Sequence, residues 1–321
     1  MNLAQLARKL GQVRLGGPVR ISVSDVSEIL GEPGRGALQN ISSWVASARH
    51  TTSGHMLDLE FAERTDVGRV RDHNEDYLGY ASPATPAQVR THGWLFVLAD
   101  GVGGHEKGEV ASKTAVESIV SGFHDAKDGE SHSAVLQRLV QQANTSVFEA
   151  AVTGGRTSAG MATTVVACAL RYDRVAVAHV GDSRCYLIRN GKAAQITRDH
   201  TIASEQVRLG LVTAQEAAEG ETSHILSRSL GTELIANVES NDHQIFAGDV
   251  LLLCSDGLHG VVDASEMAAI CGSAQDLHLA AEKLVALAND RGGGDNISVQ
   301  LIRIRGVERM GMYRGRPYKL Y

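Results

Sequence analysis

The stretch "RVAVAHVGDSRCYLIRNGKAAQIT" (residues 174–197) decides the fold class. It is rich in Val, Ala, Ile and Leu, and Asn190-Gly191 sits between two apolar runs, the pattern of a two-residue hairpin loop. Strands joined this tightly must be antiparallel, because a parallel pair needs a crossover of a dozen or more residues. The neighbouring segments extend the pattern. "ATTVVACAL" (162–170) and "VLLLCSDGL" (250–258) are β-like, and "LDLEFAERTD" (57–66) alternates as a strand does. "WLFVLAD" (94–100) is a continuous apolar run, expected of a strand buried on both faces. "GGGDNISVQLIRI" (292–304) supplies a closing strand. Helical spacing appears in 108–123, 131–152 and 273–292. Strands cluster and helices come mostly in pairs, which predicts an α+β fold with helices on the faces of antiparallel sheet. Residues 198–233 are polar and mixed, a surface excursion in which His200, His224 and Arg228 either face a substrate or are simply exposed.

Bulk properties narrow the function. The 321 residues are 43% hydrophobic and 21% charged, ordinary for a globular chain. A net charge of −6 argues against a general binder of nucleic acid or anionic membrane. No apolar run approaches the roughly 20 residues of a membrane span, and the first 30 residues lack a secretory core, so a cytoplasmic location is expected. The four cysteines are far apart and form no CxxC pair, the pattern of buried free thiols. Residues 1–55 carry six basic and three acidic residues, a balance of +3 that leaves −9 on the remainder. They are expected to form an N-terminal extension, either a poorly ordered arm or a partner-docking segment, ahead of a folded domain over 56–306 and a tail over 307–321.

Three carboxylates stand in matching places. Asp100 closes "LFVLAD", Asp256 closes "VLLLCSD", and Asp295 precedes "NISVQLIRI", each beside glycine. An Asp-Gly at one strand end is ordinarily a turn. Three that converge would repel unless a cation neutralised them, and an all-oxygen set suits Mg²⁺ or Mn²⁺ rather than zinc. The charged loop "TDVGRVRDHNEDYLG" (65–79) adds Arg71, whose planar fork matches phosphate oxygens.

The ordered series "TDVGRVRDHNEDYLG", "LADGVGGHEKGEVAS", "ATTVV", "AHVGDSRCYLIRNGKAAQITRDHT", "LLCSDGL" and "GGGDNISV" resembles the bacterial branch of the metal-dependent protein phosphatases of type 2C. The likeness runs from about residue 58 to 304. It implies a four-layer αββα sandwich, two antiparallel sheets flanked by helix pairs. It also implies hydrolysis of phosphoserine or phosphothreonine in proteins by a hydroxide bridging two Mn²⁺ or Mg²⁺ ions, reversing a Ser/Thr kinase. By resemblance Asp100 bridges the ions and the Gly101 carbonyl holds the second; Asp256 and Asp295 complete the first, and Glu75 acts through water. Arg71 matches the phosphate-binding arginine, while Asp66, Asp76, Asp182 and Asn296 match supporting positions. The partners implied are phosphorylated proteins of a cognate kinase, with no nucleic acid and no membrane span, for a chain expected to be monomeric.

Two departures matter. Many bacterial relatives carry an Asp before the Met of a "MGTT" motif, where it binds a third metal; here "SAGMATT" places Ala159 there. A complete third site is therefore not expected, although Asp256 and Ser183 match its other contributors. Some relatives place a His two residues after the first metal Asp, where this chain has Val102. His105 lies nearby with two roles open, proton transfer or packing of its loop. Two other functions compete. A phosphatase-like module that binds phosphoproteins without turnover is suggested by Ala159 and the extension. Nucleotide binding at "DGVGGHEKG" fails both glycine fingerprints, GxxxxGK followed by Ser or Thr and GxGxxG with a later acid.

Overall fold

Asn190 and Gly191 both adopt positive φ, 52° and 73°, the mirror-image turn that matches strand twist. They join β8 (Arg184–Arg189) to β9 (Lys192–Gln195), as the sequence predicts. The computed structural model describes residues 47–49, 57–102, 106–127, 129–153, 160–220, 222, 224–308, 310–313 and 316–319. The proposed extension lies outside these residues except for β1 (Ser47–Arg49).

The first sheet runs β1, β2 (Leu57–Asp66), β12 (Ile297–Val307), β11 (Val250–Cys254), β8 and β9. The second runs β10 (Glu239–Gln244), β7 (Arg174–Val180), β6 (Val165–Arg171), β4 (Trp94–Val102) and β3 (Asp76–Ala81), and β5 (Ala162–Thr163) pairs with the end of β4. Every pairing is antiparallel. A separate hairpin joins β13 (Met310–Tyr313) to β14 (Arg316–Lys319) within the tail. The helices are α1 (Pro86–Thr91), α2 (Glu106–His124), α3 (His132–Thr153), α4 (Ile202–Arg208), α5 (Ala214–Glu219), α6 (Asp256–His259), α7 (Ala264–Ser273) and α8 (Leu277–Asp290).

Three apolar layers separate four structural ones. Between the sheets lie Leu59 and Phe61 of β2, Phe96 and Leu98 of β4, and Leu251 and Leu253 of β11. The Phe61 and Phe96 rings meet edge to face at 5.1 Å. Outside the second sheet, Val97 and Ala99 pack with Ala115 and Ile119 of α2 and Leu136 and Leu139 of α3. Outside the first, Leu252 and Leu301 pack with Met267 of α7 and Leu277 and Leu284 of α8. The unbroken run in β4 follows directly: its residues alternate between two apolar layers, so Leu95 to Ala99 are all buried. The fold is the expected αββα sandwich. All four cysteines are buried and free.

The chain crosses between the sheets four times, and two of these crossings carry residues of the acidic cluster. Residues 67–75 lead from β2 of the first sheet to β3 of the second, and residues 181–183 lead from β7 of the second to β8 of the first. The strand at β3 begins within the charged segment 65–79, whose sequence reads as loop throughout. The excursion over 198–233 contains α4 and α5, and His200 within it is fully buried, against the expectation of exposure. His224 is exposed.

Candidate active site

Asp100 lies inside β4 rather than at its end, because β5 pairs with Gly101 and Val102 and prolongs the strand. Its backbone is held firmly. Thr164 N donates to the Asp100 carbonyl at 2.8 Å, as does the Thr163 hydroxyl at 2.8 Å, and Asp100 N donates to Thr164 Oγ1 at 3.1 Å. Asp76 of β3 stands directly opposite Asp100 in the ladder. Like charges facing each other across strands are destabilising on their own. Asp256 opens the one-turn helix α6 after β11, and Asp295 precedes β12. Asp182 sits in the 181–183 crossing and is 6% exposed. The two sheets and the 67–75 and 181–183 crossings thus deliver acids to one end of the sandwich.

The electrostatics show that these acids share one field. Burial first, then Asp76, Asp256, Asp182 and Asp295, holds the Asp100 carboxyl well above its ordinary range. Burial pushes Asp76 up to about 7, with Asp256 and Asp295 adding to the rise against hydrogen bonds from Ser298 and Ser255. Asp182 is likewise pushed up to about 7 by burial and by Asp256. Asp256 is raised by burial and then by Asp295. Such a set is unfavourable without a counter-charge. Arg71 supplies part of it: Nη2 donates to Asp295 Oδ2 at 2.7 Å. Burial lowers the guanidinium's pKa, but Asp295, Glu75 and Asp100 outweigh this and raise it.

The donor set fits divalent cations. The clustered side chains offer only oxygen ligands, the preference of Mg²⁺ and Mn²⁺. Asp76 Oδ2 accepts from Ser255 Oγ at 2.8 Å, while its Oδ1 is buried with no protein partner, a lone pair free for a cation or its water. At Gly101 a Cβ would stand 2.2 Å from the Gly108 carbonyl oxygen and 2.7 Å from that of Glu75, so only glycine allows the two segments to meet. A Cβ on Gly108, inside α2, would stand 2.8 Å from the Glu75 carboxyl carbon.

The remaining expected residues support the loop over 67–75. Asn296 Nδ2 donates to the Val67 and His73 carbonyls, both at 2.9 Å, and its Oδ1 accepts from Glu75 N at 2.8 Å. Asp66 Oδ1 accepts from Gly68 N at 3.0 Å and from Asn289 Nδ2 at 3.1 Å. Gly68 has φ +80°, and a Cβ there would strike the Asp295 carbonyl at 2.2 Å. Ser183 Oγ bonds Thr164 Oγ1 at 2.7 Å, which ties the 181–183 crossing to the strand of Asp100. His105 and Ala159 lie outside the described residues.

Several contributors have no sequence signature. Ser112 Oγ donates to the Glu75 carbonyl at 2.6 Å, and Ser255, buried under Asp76, also accepts from Ser298 N at 3.0 Å. Gly108 alone carried a hint, as a glycine inside a helical pattern. Away from these acids, ligand atoms of His179, His200 and Glu239 lie within 4.8 Å of one another. His200 Nδ1 accepts from Gly181 N at 3.2 Å, so its Nε2 bears the proton and faces Glu239 Oε2 at 3.3 Å. Arg198 Nη2 also donates to Glu239 Oε2 at 2.7 Å. This is a hydrogen-bonded clasp at the base of the excursion, not a metal site.

Comparison with known proteins agrees with this picture. The model of the family described as protein phosphatase 2C matches residues 69–285. A serine/threonine phosphatase stp of Listeria innocua is 36% identical over 256 residues, covering 79% of this chain and 97% of its own. The structure of serine/threonine phosphatase Stp1 from Staphylococcus aureus has a TM-score of 0.70 at 31% identity, over 81% of this chain and all of that one. The catalytic domain of the serine/threonine protein phosphatase PstP, in complex with two manganese ions, has a TM-score of 0.64 at 33% identity, over 77% of this chain and 98% of its own.

Proposed function

The chain belongs to the protein phosphatase 2C family of metal-dependent serine/threonine phosphatases, and from that premise we propose how its own residues divide the work. The activity is hydrolysis of phosphoserine and phosphothreonine in protein substrates, with a divalent metal requirement. Asp100, Asp256, Asp295 and the Gly101 carbonyl are proposed to hold two Mn²⁺ or Mg²⁺ ions, with Glu75 and Asp76 acting through ordered water. When bound, the ions polarise the phosphoryl oxygens and make a nucleophile available near neutral pH. The observation that supports this most is the opposed pair Asp76 and Asp100, with Asp76 Oδ1 buried and without a hydrogen-bond partner.

Arg71 is proposed to receive the phosphoryl group. Its guanidinium is bound to Asp295, which keeps it at the rim with further N–H donors for phosphate. Asn296 and Asp66 fix the loop that aims Arg71, and Thr163 and Thr164 fix the backbone of Asp100. With Ala159 at the position noted above, we infer two ions rather than three. Substrates are proposed to be the targets of a cognate Ser/Thr kinase, met in the cytoplasm by a monomer; no described helix is long and apolar enough to cross a membrane.

The test is turnover of a phosphopeptide panel and an aryl phosphate by metal-free protein given Mn²⁺. Activity should appear with the metal, vanish with EDTA, and be absent in D100A and D295A. Turnover that ignores chelation overturns the mechanism. Tight phosphopeptide binding with no turnover at saturating Mn²⁺ replaces it with the binding-module reading.

A further inference from the structure

Asp256 begins α6 and His259 ends it, one turn later, so the two side chains ride on a single rigid turn closed by Gly260 N donating to the Asp256 carbonyl at 2.8 Å. His259 Nε2 lies 3.0 Å from the Asp182 carbonyl oxygen. A carbonyl only accepts, so Nε2 carries the proton and His259 is the donor. The contact joins two parts of the chain that are far apart in sequence. One is the turn that presents Asp256 after β11 of the first sheet; the other is the 181–183 crossing that presents Asp182 and Ser183.

The surroundings keep that donor in one state and one place. His259 is half-buried and faces Arg184, Asp199 and the Asp182 backbone; burial and Arg184 push its pKa down to about 3. Arg184 is itself locked to Asp199 by three hydrogen bonds of 2.6 to 3.1 Å. The imidazole is therefore neutral at working pH, with its proton directed by the carbonyl. Asp182 is buried and close enough to Asp256 to feel its charge. The distance between these two acids is set by whatever links their backbones.

We propose that His259 is a positioning residue that fixes the spacing of Asp256 from the Asp182–Ser183 turn, and through it the affinity for the divalent ion that Asp256 helps to hold. This rests on the reading of the carboxylate cluster as a metal centre. Groups that orient ligands from behind change metal affinity by about 10–100-fold when removed. The Nε2 proton of His259 is committed to the Asp182 carbonyl, so loss of His259 should weaken metal uptake more than it slows turnover once metal is saturating.

Calorimetric titration of the metal-free protein with Mn²⁺ tests this, with far-UV circular dichroism as the check on folding. In H259N the amide stops short of Asp182, and Mn²⁺ affinity should fall about tenfold, the lower end for such groups. H259Q places an N–H where Nε2 stands and should bind Mn²⁺ as the wild type does. H259M, apolar and of similar reach, is a second lesion that should match H259N. If one lesion fails to fold without metal, the other is read against H259Q. Equal Mn²⁺ affinity in wild type and a folded lesion overturns the positioning role alone. A wild type that takes up no Mn²⁺ overturns the metal centre, and this inference with it.

Discussion

At the scale of single residues, the clustered acids repel one another and cost stability. Asp100 is half-buried opposite Asp76 and within the field of three other carboxylates. Replacing it with the uncharged isostere, D100N, should abolish turnover yet stabilise the metal-free fold by about 1 kcal/mol or more, because one repelling charge is gone. Thermal unfolding in EDTA reads the effect, as a midpoint above that of wild type. Gly101 behaves oppositely. Backbone atoms of Gly108 and Glu75 surround its missing Cβ, and backbone cannot swing aside as a side chain can. G101A should therefore cost about 1–3 kcal/mol from overpacking and lose metal-dependent activity together, measured by denaturant unfolding and Mn²⁺ titration. The sequence exposes both residues, since an Asp-Gly after an apolar run is visible. It does not show why the glycine is required, which depends on Gly108 arriving from the next helix.

At the scale of elements, the excursion between β9 and β10 is anchored by a histidine pair. The rings of His179 on β7 and His200 stack at 4.9 Å, and His200 also faces Glu239 on β10 and Arg228 of the excursion. Burial, then His179 and Arg228, pushes His200 down to about 4, and burial lowers His179 as well. A histidine with a folded pKa below its unfolded value of about 6.5 contributes stability above that pH. For His200 the contribution is lost as pH falls through the window from about 6.5 to about 4, by at most about 1.4 kcal/mol per pH unit, and His179 adds in the same direction. Unfolding midpoints measured across that window should fall with pH, and H200N should show the shallower slope. At the β8–β9 turn, Asn190 and Gly191 both need positive φ, so G191A should cost about 1 kcal/mol without touching the metal response.

For the molecule as a whole, binding to the folded state alone must stabilise it. Mn²⁺ at about a hundredfold excess over its dissociation constant should add about 2.7 kcal/mol. The unfolding midpoint should therefore rise with Mn²⁺ in wild type and not in D100A. A variant lacking residues 1–55 loses only the three-residue edge strand among the described elements. It should keep wild-type turnover of an aryl phosphate, and a loss confined to phosphoprotein substrates would assign the segment a docking role.

The sequence by itself determined the class of structure and the inventory of the site. Alternating and continuous apolar runs, an Asn-Gly turn and paired helical periods require antiparallel sheet covered by helices, because those patterns follow from backbone periodicity alone. Acids beside glycines at strand ends, with Arg71 in a charged loop, marked the residues proposed as oxygen ligands. What only the tertiary structure decided was which strands share a sheet. "RVAVAHVGDSRCYLIRNG" reads as one β-like stretch, yet it leaves one sheet at Val180 and enters the other at Arg184. That crossing brings Asp182 to Asp256, buries His200, and sets His259 against the Asp182 carbonyl. Periodicity records which face of a strand is buried, not which layer lies against it. The supports under the acids, Ser112, Ser255, Thr164 and His259, meet their partners only through long-range packing, so no local pattern announces them.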